Sequence, residues 1–416
     1  MKLEKYSFGI GDRFTLEGEA QLKAIIQANE AGIPFVPVWN KSNREHLIVH
    51  TLPQQTREEA DRAVRNMNWK GSYYVDADHI NMSNVDGFIP HSDFFTIDVA
   101  DYIGKPAPKD DLKKMVNEMV KYRGELFIPG LPRPFTISTE LVEKIAGKFL
   151  YAVMEAARIY NYIAGVKGSD TFIPEVSMDE VDEAQSPVEL FFILMMLDHH
   201  GVPVQTIAPK FTGRFNKGVD YVGNRDLFAT EFEEDLLVID FAIKHFSLPE
   251  NLKLSVHSGS DKFSIYPVMG ELIRRHDKGI HVKTAGTTWL EEVIGLAMAG
   301  GEALEMAKEI YIKALEREKE LCAPYATVID IDPAKLPSAK EVAGWNAEKF
   351  ANTLRHIPGH PDYNLNFRQL IHVGYKVASE LGDSYRDMIT KNKEIVGRQV
   401  TENIYERHIL RLWGRS

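Results

Sequence analysis

The chain has 416 residues, 44% apolar, 10% aromatic and 26% charged, enough for a large buried core and unlike disordered, collagen-like or disulfide-scaffold proteins. With 49 Lys and Arg against 60 Asp and Glu, the formal net charge of −11 opposes attraction to nucleic-acid phosphates and anionic membrane surfaces. The lone Cys322 has no partner for a disulfide or a Cys-based zinc site, the N-terminus lacks a signal-peptide apolar region, and the longest apolar run, Leu190 to Leu197, falls far short of a bilayer span. A soluble cytoplasmic protein with no nucleic-acid and no membrane partner is predicted.

Along the chain, short β-rich runs ending in polar residues alternate with stretches of helical periodicity. The runs cover 6–12, 35–39, 73–78, 94–98, 171–176, 204–208, 252–257 and 281–284, and their companion helices are predicted to start near Glu17, Thr56, Asn84, Ala107, Pro187, Asn224, Pro267 and Thr287. Apolar strands alternating with helices imply a parallel sheet covered on both faces, and this number of units favours a closed (β/α)8 TIM-type barrel over an open doubly wound sheet. After the fourth strand, about 102–168 holds two more helical patterns around the Pro/Gly-rich turn 127–134, which predicts a helical insertion acting as a cap. The expected division is a catalytic barrel over 1–322, cap included, and a helical extension over 323–416 packed on it. The extension includes a helix over 364–381 and a basic end, 408–415, read as a solvated face.

Catalytic groups in such a barrel gather at the carboxyl ends of the strands. Polar residues crowd there: Gly11-Asp12-Arg13, Trp39-Asn40-Lys41, Asp76-Ala77-Asp78-His79, Asp98, Glu175 with Asp179-Glu180, Pro209-Lys210, His257 to Lys262, and Lys283 to Thr287. His79 and His257, on separate strands, are the candidate ligands of a divalent metal with an open coordination position. Asp78 beside His79 can place a carboxylate over substrate, and Ser258-Gly259-Ser260 is a small-residue loop suited to close approach of backbone N–H groups to an anion or polyol. Glu175 is a candidate for proton transfer, while Asp76, sharing a face with Asp78, is expected to pair with a cation. Arg13, Lys262 and Lys283 suggest an anionic small molecule. His281 starts its strand and reads as core, and His372 reaches the mouth only if the C-terminal region folds over it. Gly9-Ile10-Gly11 lacks the rest of a dinucleotide fingerprint, so no nucleotide is expected.

Seven motifs in order, Phe8 to Arg13, Asp76 to His79, Phe95 to Asp98, Pro174 to Glu180, His257 to Phe263, His281 to Thr287 and Arg368 to His372, together resemble the tagaturonate epimerase family of hexuronate C4-epimerases. Some members carry a longer leading segment before the Gly-Asp-Arg motif, a difference that bears on oligomerisation or substrate choice. The resemblance implies an isomerase of hexuronate catabolism that interconverts tagaturonate and fructuronate with one divalent cation (Zn, Mn, Co or Ni). It further implies Asp78 as proton acceptor, Glu175 as proton donor, and His79 and His257 as metal ligands. The layout is also similar to that of class II metal-dependent aldolases, in which a third ligand comes from the intervening strand. No histidine stands there, which leaves Lys217, Asp220 or His281 for that role. Substrate contacts are expected from Arg13, Ser258, Ser260, Asp261, Lys262, Lys283, Thr284 and His372, with Lys262 or Lys283 on the uronate carboxylate and the cap retaining cleavage fragments. The carbon that inverts is β to the ketone, so enolisation cannot invert it, and a retro-aldol cleavage with re-addition is expected. The alternatives are an aldolase acting on a keto sugar acid, which would release the fragments, and a non-catalytic sugar-acid sensor. The expected partner is a small-molecule keto-uronate, with a homo-oligomer left open.

Overall fold

A computed structural model describes residues 1–284 and 286–414. The barrel strands are β1 (Tyr6–Ile10), β2 (Val36–Ser42), β3 (Tyr74–Ile80) and β4 (Phe94–Asp98). A small antiparallel hairpin follows, β5 (Gly124–Leu126) and β6 (Phe135–Ile137), and then β7 (Ile173–Ser177), β8 (Thr206–Ala208), β9 (Lys253–His257) and β10 (Ile280–Lys283). The eight long-range strands pair in parallel and close in the order β1-β10-β9-β8-β7-β4-β3-β2. This is the (β/α)8 TIM-type barrel that the alternation implies. Phe8 marks the closure, since its register partners are Val282 on one side and Pro37 on the other. Strands in such a barrel face packed side chains inside and helices outside, which is why Phe8, Val38, Ile97, Val176, Val256 and Val282 are all fully buried.

Five outer helices, Gly18–Glu30, Pro187–His199, Arg225–His245, Tyr266–Arg275 and Thr287–Ala299, begin close to the predicted starts. Local chemistry fixes some of these ends. Ser186 and Glu189 form a capping box with Pro187 at the first helical position, and the Asn224 side chain accepts the N–H groups of Asp226 and Leu227. The companion expected near Asn84 is only a 3₁₀ turn, Val85–Gly87, because the chain between Ile80 and Phe94 is too short for a helix with two loops. The helix near Ala107, Lys109–Met119, is not the one that covers β4. That place belongs to the long helix Thr139–Lys167, which packs on β4 and on Pro187–His199. The segment 102–168 is therefore the barrel's own fourth helix with a short helix and hairpin ahead of it, and it contributes no residue to the lining of the mouth cavity. Its expected role as a cap is corrected accordingly.

The C-terminal helices cover the barrel's side and part of its mouth. A second apolar cluster forms around Trp289, Tyr311, Phe350, Phe367 and Tyr385. The helix Lys393–Glu402 crosses Thr287–Ala299 so closely that a Cβ at Gly295 would lie 2.6 Å from the Val396 Cα. The expected helix over 364–381 is split into Leu365–Val373 and Tyr375–Glu380. The basic end is not a solvated face, since His408 is fully buried and Leu412 packs against Tyr266–Arg275; Arg415 lies outside the described residues. Among the described residues no helix is long and apolar enough to cross a membrane.

Candidate active site

The carboxyl ends of the strands enclose a cavity of about 100 Å³ lined by Arg13, Asn40, Asp78, His79, Asp179, Lys217, His257, Gly259 and Lys283, with Tyr325 and Val328 from the C-terminal region on its wall. Adjacent residues of a regular strand point to opposite faces, yet Asp78 and His79 both line this space. The β3–β4 register shifts between Ala77 and Ile80, and His79 sits at φ 51°, in the left-handed region that side chains other than glycine rarely occupy. The bulge re-aims the two side chains together, and such a conformation in a buried strand marks a functional constraint.

His79, Asp179 and His257 offer ligand atoms that all lie within 4.8 Å of one another. The donor set of two imidazoles and one carboxylate suits a divalent transition metal. Each imidazole is also held by carboxylates: His79 Nδ1 by Asp98 Oδ2 at 2.9 Å, His257 Nδ1 by Asp179 Oδ1 at 3.1 Å, and His257 Nε2 by Glu175 Oε1 at 2.9 Å. Carboxylate partners of this kind fix the tautomer and orientation of metal-binding histidines. Burial disfavours the imidazolium of His257, but Asp179 and Glu175 outweigh it and lift its pKa to about 9.

Beneath these groups lies one cation. Lys283 Nζ contacts Asp76 Oδ2 at 2.7 Å, Asp78 Oδ1 at 2.9 Å and Glu175 Oε1 at 2.9 Å, and also donates to Thr96 Oγ1. The arrangement separates the two aspartates. Burial raises Asp76 to about 6 in spite of Lys283, whereas for Asp78 the effect of burial is overcome by Lys283 and the two imidazoles, which bring it to about 2. Glu175 is fully buried, and although burial opposes ionisation, Lys283 and His257 hold it well below the usual carboxylate range. Its other oxygen accepts from Thr206 Oγ1 at 2.7 Å. Glu175 thus meets the cavity through His257 and Lys283 and does not line it itself.

Several expected contacts are corrected. Lys262 is buried and donates to the carbonyls of Asn216 and Val219, so it holds a loop and not a substrate. Ser258 Oγ donates to the Lys283 carbonyl, Ser260 Oγ accepts from Gly218 N, and Thr284 Oγ1 donates to the Gly9 carbonyl. Asp261 pairs with Arg368 at 2.6 Å and faces His356 and His408, which ties the β9 loop to the C-terminal helices. Among the candidates for third ligand, Asp220 accepts from Ser264 N and Oγ, and His281 bonds Ser7 Oγ at 2.8 Å, two residues deeper in β10 than Lys283. Lys217 lines the cavity but belongs to neither group of possible ligand atoms, which are His79, Asp179 and His257, and His79, Asp98 and Glu180. The C-terminal region does fold toward the mouth, yet His372 is buried beside Gly286 and Arg13, outside the cavity lining, with neither ring nitrogen hydrogen-bonded. Asp179 and Asn40 were expected at the mouth without an assigned role, and Tyr325 was not expected there at all. The signal for the first two was their position at strand ends, and Tyr325 had none.

The family model for tagaturonate epimerase matches residues 1–411. The tagaturonate/fructuronate epimerase of Thermotoga maritima is 28% identical, the alignment covering 98% of this chain and 81% of that protein. The glycerol-bound crystal structure of the fructuronate–tagaturonate epimerase of Cohnella laeviribosi superposes with a TM-score of 0.82 at 22% identity, covering 100% of this chain and 82% of that one. Its native form gives a TM-score of 0.79 over the same shares. Fold and sequence thus agree, and the chain belongs to the tagaturonate epimerase family, carbohydrate epimerases of the isomerase class.

Proposed function

We propose that this protein interconverts D-tagaturonate and D-fructuronate in the cytoplasm, by metal-assisted retro-aldol cleavage and re-addition. The observation that carries the reading is the convergence of His79, Asp179 and His257 beside Asp78 in one cavity of a family member. A divalent cation held by those three residues would act as a Lewis acid, polarising the ketone and stabilising the negative charge that develops on it. Asp78, ionised at neutral pH, accepts the proton of the hydroxyl on the carbon to be inverted. The adjacent carbon–carbon bond then breaks, its electron pair passing into the enediolate fragment while the hydroxyl carbon becomes an aldehyde. The aldehyde turns and is attacked on its other face, so its oxygen ends on the opposite side and needs a second proton source.

Glu175 fits that second role through its neighbours. Glu175 is ionised and sits behind Lys283, so it acts by holding the ammonium in place: Lys283 Nζ bridges Asp78 and Glu175 and lines the cavity, from which it can protonate the new alkoxide and recover the proton that Asp78 took. No proton or electron is gained or lost over the cycle. The test is incubation of metal-loaded and chelator-stripped protein with tagaturonate in deuterated water, without nicotinamide, followed by NMR. Metal-dependent fructuronate with no deuterium at the inverted carbon supports the reading. Deuterium at that carbon refutes cleavage and re-addition, and accumulating three-carbon fragments would make the protein an aldolase.

A further inference from the structure

A keto-uronate presents two different ends to its site. The ketone belongs near the His79, Asp179 and His257 cluster, and the carboxylate at the far end of the chain requires a cation of its own. Of the basic groups lining the cavity, Lys283 is committed to three carboxylates. Arg44 is half-exposed at the rim, 3.8 Å from Glu180, and Lys210 and Lys217 also border the outer groove that adjoins the cavity. Arg13 is different. It is buried, its guanidinium stacks 4.2 Å from the centre of the Tyr375 ring, and its charged neighbour is Glu45, 3.3 Å from Nε. Neither Nε nor Nη1 makes a hydrogen bond. A buried guanidinium ordinarily satisfies its donors, whereas Arg13, a residue of the cavity wall, leaves Nη1 without an acceptor and Nε with only the ion pair to Glu45.

Asn40 on β2 repeats the signal. It is 1% exposed, lines the same cavity, and neither Nδ2 nor Oδ1 has a partner. The barrel order places β1, from which Arg13 follows, opposite β7, from which Asp179 follows, so these two residues stand on opposite sides of the mouth, while Asn40 on β2 stands next to the strand of His79. We infer that Arg13 and Asn40 form the subsite that binds the substrate carboxylate and makes the enzyme prefer uronates over neutral ketoses. The planar fork of Arg13 matches a carboxylate, Asn40 Nδ2 adds a donor, and Asn40 Oδ1 accepts from the neighbouring hydroxyl. Tyr375 holds the guanidinium flat, which gives the C-terminal helices a part in substrate choice.

This inference rests on the epimerase reading and is tested apart from it. Calorimetry on the metal-loaded protein compares binding of tagaturonate with binding of tagatose, the same ketose with CH₂OH in place of the carboxylate. The wild type is expected to prefer tagaturonate, Arg13→Met to reduce that preference about 100-fold, and Asn40→Ala to reduce it about 10-fold. Asn40→Ala leaves no charge unpaired and carries the test if Arg13→Met does not fold. Equal binding of the two sugars by the wild type, or variants that weaken both sugars alike or keep the preference, would overturn the inference. A wild type that prefers tagaturonate yet does not convert it would instead defeat the epimerase reading and leave the subsite standing.

Discussion

Asp261→Asn tests whether the C-terminal helices hold the catalytic loop through one buried charge. In the native chain Asp261 Oδ2 accepts from Arg368 Nη2 at 2.6 Å, and both side chains are fully buried. Arg368 also donates to the carbonyls of Gly218 and Leu354, so it stays inside when its counter-charge is removed. An uncompensated buried guanidinium is expected to lower stability by about 3–5 kcal/mol, a large share of the roughly 5–15 kcal/mol that a folded protein has in hand. The pH dependence identifies the partner. Burial alone would raise the Asp261 carboxyl, but Arg368 and His356 hold it well below the usual range, while burial keeps His408 neutral with a pKa near 3. A depressed carboxyl contributes stability that is complete above its unfolded value of about 3.9 and is lost only as pH falls through the folded value. The difference between wild type and variant in urea unfolding, followed by tryptophan fluorescence, is therefore expected to be constant from pH 8 to 5. A difference below about 1 kcal/mol would refute the reasoning, and one that changes between pH 8 and 6 would assign the attraction to a titrating histidine.

Three other outcomes follow from the site. Asp179→Asn is expected to weaken metal binding about 100-fold in competition with a chelator, whereas Asp220→Asn, whose partner is Ser264, should not; equal effects would remove Asp179 from the ligand set. Metal must displace a proton from His257, which titrates near 9, so affinity is expected to rise from pH 6 to 9 with protons released on binding, and a flat profile would exclude that imidazole. Phe127 in the loop of the β5–β6 hairpin is 71% exposed and away from the mouth, so Phe127→Ser should leave kcat/KM within about twofold; a larger loss would restore a capping role to that segment.

Much of this architecture is legible because it rests on periodicity. Strands buried on both faces cannot hide their apolar runs, and the polar residues that end them mark the mouth. His79 and His257 were readable for that reason. What periodicity does not carry is where the chain goes between regular elements. The segment 102–168 contains two helices and a proline-rich turn, and nothing in their pattern tells which helix covers β4; the longer apolar stripe of Thr139–Lys167 decides it through packing. Asp179 likewise lies beyond the end of β7, and only the path of that loop brings it to the two imidazoles.

The cations show the same limit in sharper form. Lys262, Lys283 and Arg13 look alike in sequence, three positive charges at strand ends, and the fold gives them unrelated tasks. Which charge remains available depends on how many acceptors surround it once buried. Lys262 is used by two backbone carbonyls and Lys283 by three carboxylates, while Arg13 rests on an aromatic face with donors left over. Tyr375, the residue that sets this apart, lies hundreds of positions downstream in a helix with no catalytic pattern of its own. If Arg13 binds the substrate carboxylate, recognition in this barrel is shaped by an element outside it, readable only by counting the partners of each buried polar atom.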